Sequence, residues 1–388
     1  MTRSPYENRE PKHFWRSAVS DAHLLTATGL YAKKFELRPR DGIATAGSCF
    51  AQHVANFLRK NGFSVLDVEP KPPLLDDEKA KAFGYGIYSA RYGNIYTVRQ
   101  LLQLALDAER GFVDERDVWS KDGRFFDALR PNVEPEGADT VEEVLDLRRH
   151  HLAKVKHLFE TMDVFIFTLG LTEAWVRKDT GRVYPTAPGT IAGDYDPELF
   201  AFKNFSYDEI VADFEEFFEL MRLWNPRLKV ILTVSPVPLT ATATDDHVLI
   251  ATTYSKSVLR AVAGHLSQLS NRIDYFPSYE LVASPWSRGF FYESNMRAVN
   301  PGGVAAVMRV FFEQHGTHAA AAAQTEAKAE RRERTARVRE RKRDVEGADA
   351  RDGGDNARRR QRVDEARERQ SAEEEAICED VLLEAFAP

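Results

Sequence analysis

Within residues 1–318, short apolar runs alternate with stretches whose apolar positions recur every three to four residues. Ile43 to Ala46 reads as a strand. Phe50, Val54, Phe57 and Leu58 follow at i, i+4, i+7 and i+8, one buried helical face. A helix is therefore predicted from Cys49 to about Asn61, stopped by Gly62. Phe63 to Leu66 reads as the next strand. Thr140 with Glu143 forms a capping-box pattern opening a helix to about Glu160. Val164 to Phe167 is continuously apolar, as in a strand covered on both faces. Ser206 with Glu209 is a second capping box, and Ile210, Phe214, Phe217, Phe218 and Met221 trace the helix behind it. Asn225-Pro226 ends that helix, and Val230 to Val234 is the following buried strand. Ser255 to about Leu266 is predicted helical and Ile273 to Phe276 extended. Asn300 as cap and Pro301 in the first turn open a last helix through Val304, Val307, Met308 and Phe311.

This alternation predicts an α/β fold, a three-layer α/β/α sandwich around a mostly parallel sheet with right-handed crossovers. Ligands in such sheets bind beyond the carboxyl ends of the strands. Ser48 and Cys49, the Gly170 to Glu173 block, and Ser235 to Leu239 each follow a strand. The pattern alone thus places them on one rim.

Candidate chemistry concentrates at Gly47-Ser48-Cys49, where a strand hands over to a helix. Unpartnered N–H groups and the helix dipole there lower a thiol pKa or steady an oxyanion. A serine at such a turn also serves as an N-cap, and a half-buried cysteine as packing. A thiolate is the better nucleophile near pH 7, whereas serine needs a base to take its proton, so Cys49 stands ahead of Ser48. The corner is expected to lift one of them into an open crevice.

Composition narrows the setting. The chain has 388 residues, 43% of them apolar, with 24 Phe and 13 Tyr, ample for a sizeable core. A net charge of −7 gives no sign of a nucleic-acid partner. The two cysteines, Cys49 and Cys378, lie in unlike contexts and form no disulfide framework, which fits a reducing cytosol. The polar N-terminus lacks the apolar run of a signal peptide, and Val164 to Leu171 is far too short to span a membrane. A soluble cytoplasmic protein is expected. Residues 1–40 read as an extension packed on the core, 41–318 as the main domain, and 319–388 as a charged low-complexity tail. Between Glu326 and Gln370, 16 Lys/Arg mix with 12 Asp/Glu and no aromatic residue, a composition that cannot form a core and whose mixed signs argue against nucleic acid. The apolar cluster from Ile377 to Phe386 offers a docking point for a protein partner. No zinc-ligand spacing, P-loop or dinucleotide fingerprint is present.

Gly-Ser-Cys-Phe-Ala at 47–51 resembles the signature of the GSCFA-domain family, distant relatives of the SGNH (GDSL-like) esterases and acyltransferases. Tyr92 to Thr97, Thr168 to Trp175 and Val234 to Pro238 match further blocks in order. The resemblance covers about residues 40 to 315. It implies acyl transfer, with acetyl as the expected group, on a hydroxylated or glycan substrate. Aligned on its glycine, the motif puts Cys49 at the SGNH nucleophile position; aligned on serine, it puts Ser48 there. It further implies an oxyanion hole from Gly93 and from Thr172, which stands where SGNH enzymes carry asparagine, with Asn94 as a substitute donor. Glu173 would orient a base or bind substrate. The Asp-x-x-His that SGNH enzymes place before the last helix is missing: Asn295 and Ala298 occupy those positions. His247 is the provisional base, with Asp245 or Asp246 to hold its tautomer, and His53, four residues past Cys49, is the other candidate. His150, His151 and His157 read as solvated on a charged helix. No cofactor is indicated; acetyl-CoA would serve as donor if the enzyme is a transferase, although no residue marks a CoA site. The alternative is a domain that has lost its acid–base pair and binds a carbohydrate or protein, with Tyr85, Tyr88, Tyr92 and Tyr96 lining a groove.

Overall fold

A computed structural model describes residues 4–316. The tail from 319 onward, with Cys378 and the terminal apolar cluster, lies outside the described residues. In chain order the elements are β1 (Ile43–Gly47), α1 (Ala51–Lys60), α2 (Asp77–Ala82), α3 (Val98–Arg110), β2 (Val118–Lys121), β3 (Arg124–Asp127), α4 (Val141–Thr161), β4 (Val164–Leu169), β5 (Glu173–Arg177), β6 (Val183–Tyr184), β7 (Phe200–Asn204), α5 (Tyr207–Trp224), β8 (Lys229–Val234), α6 (Val248–Leu269), β9 (Ile273–Tyr275), α7 (Ser278–Ala283) and α8 (Pro301–His315).

The central sheet is parallel, in the order β1-β4-β8-β9. The strand expected at 63–66 is reduced to a single parallel bridge between Val65 and Ile43. Ser64 accepts Ile43 N–H and Leu66 donates to Ile43 C=O, and no further ladder forms. Counting that bridge, the order is 2-1-3-4-5, a doubly wound arrangement whose switch point lies between β1 and β4.

Alternation along the strands divides the core. Ala44, Ala46, Phe165, Phe167, Leu169, Val230 and Leu232 face α3, α4, α5 and α6. Ile43, Val164, Ile166 and Ile231 face α1, α7 and α8. Tyr31 and Leu37 of the N-terminal extension join this second core. The Tyr31 hydroxyl donates to Asp274 Oδ2 at 2.7 Å, and Lys34 N–H donates to the same oxygen at 2.9 Å.

Capping chemistry sets several boundaries. Ser206 and Glu209 exchange both bonds of a capping box at α5, and Thr97 and Gln100 do so at α3. At α4, Thr140 Oγ1 accepts Glu143 N–H, but the Glu143 carboxylate reaches Asp139 N–H instead of closing the box. Helix α6 begins seven residues before Ser255, because His247 caps it with Nδ1 accepting Leu249 N–H. Two antiparallel additions, the β2–β3 hairpin and the sheet β6-β5-β7, extend from the main body. They meet around Trp119, Phe126, Tyr184 and Phe200.

Candidate functional site

The corner after β1 is fixed by β4. Gly47 pairs with Thr168 in register. Its φ of +130° lies where side chains rarely go. A Cβ there would sit 2.3 Å from Thr168 C=O and 2.7 Å from Thr168 N. Only glycine lets the two strands close this tightly. Ser48 N–H then donates to Thr168 C=O at 3.2 Å, carrying the ladder one residue past the strand. Ser48, Cys49 and Phe50 precede α1, which begins at Ala51 rather than Cys49.

Ser48 is not a helix cap. Its carbonyl, not its hydroxyl, accepts Ala51 N–H, and its Oγ is buried with no hydrogen-bond partner. The side chain points across the switch point, since a Cβ on Gly170 would lie 3.1 Å from Ser48 Cβ. Thr168 Oγ1 and Thr172 Oγ1 are likewise buried and unpartnered. Buried hydroxyls are normally satisfied, so three at one end of the sheet are unusual.

The open crevice expected from sequence is not what forms. Ser48 is 3% exposed, Cys49 9% and Thr172 fully buried. The segment 85–97 covers the corner. Tyr88 donates to Ser48 C=O at 3.2 Å and to Asn94 Oδ1 at 2.5 Å. Ile95 N–H donates to Gly47 C=O, and Gly170 and Leu171 N–H both donate to Tyr96 C=O. Gly93 has φ +68°, the left-handed turn that glycine allows. Tyr88, Tyr92 and Tyr96 are each 3% exposed, so they pack the cover in place of the expected open groove, and the half-buried Tyr85 ring lies under the Arg91 guanidinium.

The remaining candidates are distributed around this end of the sheet. Glu173 opens β5. Its Oε1 accepts the Thr242 hydroxyl at 2.8 Å, and Thr244 in turn accepts Asp246 N–H. Burial raises the Glu173 carboxyl above its ordinary range, against the hydrogen bonds from Thr242 and Ala243 N–H. His247 is exposed, as are Asp245 and Asp246, and its Nδ1 is engaged at the α6 cap. His53 lies in the first turn of α1, against the Phe50 ring, and burial lowers its pKa to about 4. The 292–299 hairpin, bridged at Tyr292 and Val299, carries Asn295 at its exposed tip. There Asn295 Oδ1 accepts Arg297 and Ala298 N–H, so the block takes the form of an Asx-type turn.

His151 corrects the sequence reading. It is fully buried on α4, with Nδ1 2.8 Å from Glu69 Oε2. Burial first, then Arg130, holds its pKa near 4. A carboxylate only accepts, so Nδ1 carries the proton. The periodicity of α4 puts His151 in register with Arg148, Leu152 and Val155 on the buried face, the signal that would have placed it.

Two contributors escaped the sequence reading altogether. Ser255 Oγ accepts Thr172 N–H at 3.1 Å, and Lys256 Nζ donates to Gly170 C=O at 2.7 Å. Among the described residues no three His, Cys, Asp or Glu side chains gather as metal ligands, and no helix is long and apolar enough to cross a membrane.

No curated protein matches the chain. A model of the GSCFA family matches residues 42–311. The matched span starts one residue before β1 and ends within α8, taking in the whole parallel sheet and every block around Ser48 and Cys49. The chain belongs to the GSCFA family.

Proposed function

We propose that the protein is an acyl-transfer enzyme, an esterase or O-acyltransferase, with Cys49 as nucleophile and an acetyl ester of a hydroxylated or glycan substrate as its natural class. The observation that carries the choice of atom is the Ser48 N–H bond to Thr168 C=O at 3.2 Å. An attacking residue gains from its own N–H at the developing oxyanion, and that of Ser48 is already engaged in the ladder. Cys49 stands one residue on, just ahead of the Phe50 cap of α1, where the helix N-terminus favours a thiolate. His53 lies in the first turn of α1 and is neutral at pH 7, because burial lowers its pKa to about 4. Because burial makes a lasting imidazolium costly, it relays the thiol proton as sulfur attacks the acyl carbon and does not hold it. The C–O bond then breaks, the leaving alkoxide recovers the proton, and a thioester remains on Cys49. Water, or an acceptor hydroxyl in a transferase with a donor such as acetyl-CoA, completes the cycle. Gly93, Asn94 and Thr172 supply donors for the oxyanion, and His247 with Asp246 stays on the rim as the alternative base.

The test is intact-mass spectrometry after incubation with p-nitrophenyl acetate. One acetyl adduct is expected in wild type and Ser48→Ala, and none in Cys49→Ala. An adduct that survives Cys49→Ala refutes the assignment. A second reading, a binding domain without catalysis, draws on the burial of Ser48 and Cys49 and on the absence of an acid–base pair in the 292–299 hairpin. It predicts no adduct in any form, with glycan affinity unaffected by Cys49→Ala.

A further inference from the structure

Helix α6 buries a stripe formed by Ala251, Ser255, Lys256, Leu259, Val262, Ala263 and Leu266. Five of these seven are apolar, and the other two are adjacent and sit toward the catalytic end of the sheet. Lys256 is 1% exposed and Ser255 fully buried. Lysine is almost never so buried without a specific partner, because its charge loses hydration there. An apolar residue would pack this stripe without that loss. Both polar side chains reach the same turn: Lys256 holds Gly170 C=O and Ser255 holds Thr172 N–H. That turn packs on Ser48, and Lys256 Nζ therefore lies within about 9 Å of Ser48 Cβ by covalent geometry.

We infer that Lys256 is a positioning residue that, with Ser255, fixes the Gly170–Thr172 turn against the nucleophile corner and places a buried positive charge behind it, favouring the thiolate of Cys49. The inference rests on the acyl-transfer reading for its purpose, but not for its test. The other ionisable groups at this end of the sheet are His53 on α1, Glu173 on β5, Asp245, Asp246 and His247 before α6, and Arg297 in the hairpin. None of the other cations belongs to a stripe of core side chains. Cys49 Sγ lies up to about 7 Å beyond Ser48 Cβ by covalent geometry, and a unit charge roughly 16 Å away, at an effective dielectric of about 20–25, is worth about half to one unit of thiol pKa.

The experiment follows Cys49 alkylation by iodoacetamide against pH, in the full chain carrying Cys378→Ser, which leaves Cys49 as its single thiol. Three variants are compared. Lys256→Met removes donor and charge, Lys256→Gln keeps a donor for Gly170 C=O without the charge, and Lys256→Arg keeps both. Lys256→Met and Lys256→Gln are expected to raise the alkylation midpoint by half to one unit, slowing the reaction three- to tenfold below it, with Lys256→Arg close to wild type. Lys256→Gln preserves the hydrogen bond, so it stands in if Lys256→Met does not fold. An unchanged midpoint in a folded Lys256→Gln protein overturns the inference and reduces Lys256 to a structural brace. Because alkylation needs no turnover, a missing acetyl adduct would sink the acyl-transfer reading while leaving this outcome readable.

Discussion

Replacing Gly47 with alanine tests the geometry on which the site depends. Two penalties combine. A side chain at φ +130° occupies sparsely populated backbone space, worth about 1–3 kcal/mol. The new methyl would also lie 2.3 Å from Thr168 C=O and 2.7 Å from its N. Those atoms belong to the β4 backbone, inside the parallel ladder, so relief requires moving a strand. Overpacking of that kind costs about 1–3 kcal/mol. Stiffening of the unfolded chain offsets about 0.4–1 kcal/mol. The net loss is about 3 kcal/mol, a large part of a typical stability of about 5–15 kcal/mol. Gly62→Ala is the matched control, because Gly62 also has positive φ, +79°, but open space around it. It should cost only about 1 kcal/mol. Urea titrations followed by circular dichroism give both values, with the slope unchanged. A Gly47→Ala midpoint equal to that of Gly62→Ala would refute the claim that β4 abuts the corner.

Further outcomes follow from other contacts. Asp107 holds Arg182 through two bonds at 2.9 and 3.0 Å and Arg148 at 3.2 Å, all three groups largely buried. Asp107→Ala leaves Arg182 with Asp117 at 3.1 Å and Arg148 with Asp127 at 3.7 Å, and should lower stability by about 1.5–3 kcal/mol in urea unfolding. Ser206→Ala removes the α5 capping box and should cost about 1 kcal/mol by the same measurement. His53, His151 and His315 all have pKa values lowered to about 4, chiefly by burial. The unfolded chain binds protons that the folded one refuses, so stability should be complete above pH 6.5 and fall steadily toward pH 4. His315→Gln should flatten that dependence, and an equal slope in the variant would exclude His315 as a contributor.

How much of this was readable in the sequence depends on how local each determinant is. The strands from Ile43, Val164 and Val230 announce themselves because both their faces are covered, so their apolar runs are unbroken. The Ser206–Glu209 box sits within four residues and was equally visible. Strand pairing at Phe63–Leu66 was not, because that segment has the right residues while Ser64 and Leu66 share one partner residue, Ile43. The early start of α6 depends on His247 acting as a cap, a role in which serine, threonine, aspartate and asparagine lead. Around the site, the rim placement of Ser48, Cys49 and Thr172 follows from strand order and was legible. The cover was not: that Tyr88 spans Ser48 and Asn94 is a long-range contact without a periodic signature. Lys256 shows the same limit, since only the fold reveals that its place on α6 faces Gly170.

The lone bridge at Val65 has a consequence for how this site changes over time. A full strand there would stitch the roof over Ser48 into the sheet by a regular ladder, and altering the roof would disturb the scaffold. With one bridge in its place, residues 85–97 are held by separate contacts, hydrogen bonds with Ser48, Gly47, Thr45, Gly170 and Leu171 and the burial of Tyr88, Tyr92 and Ile95 in the core. Substitutions in the cover can therefore change its contacts one at a time while the parallel ladder beneath is kept.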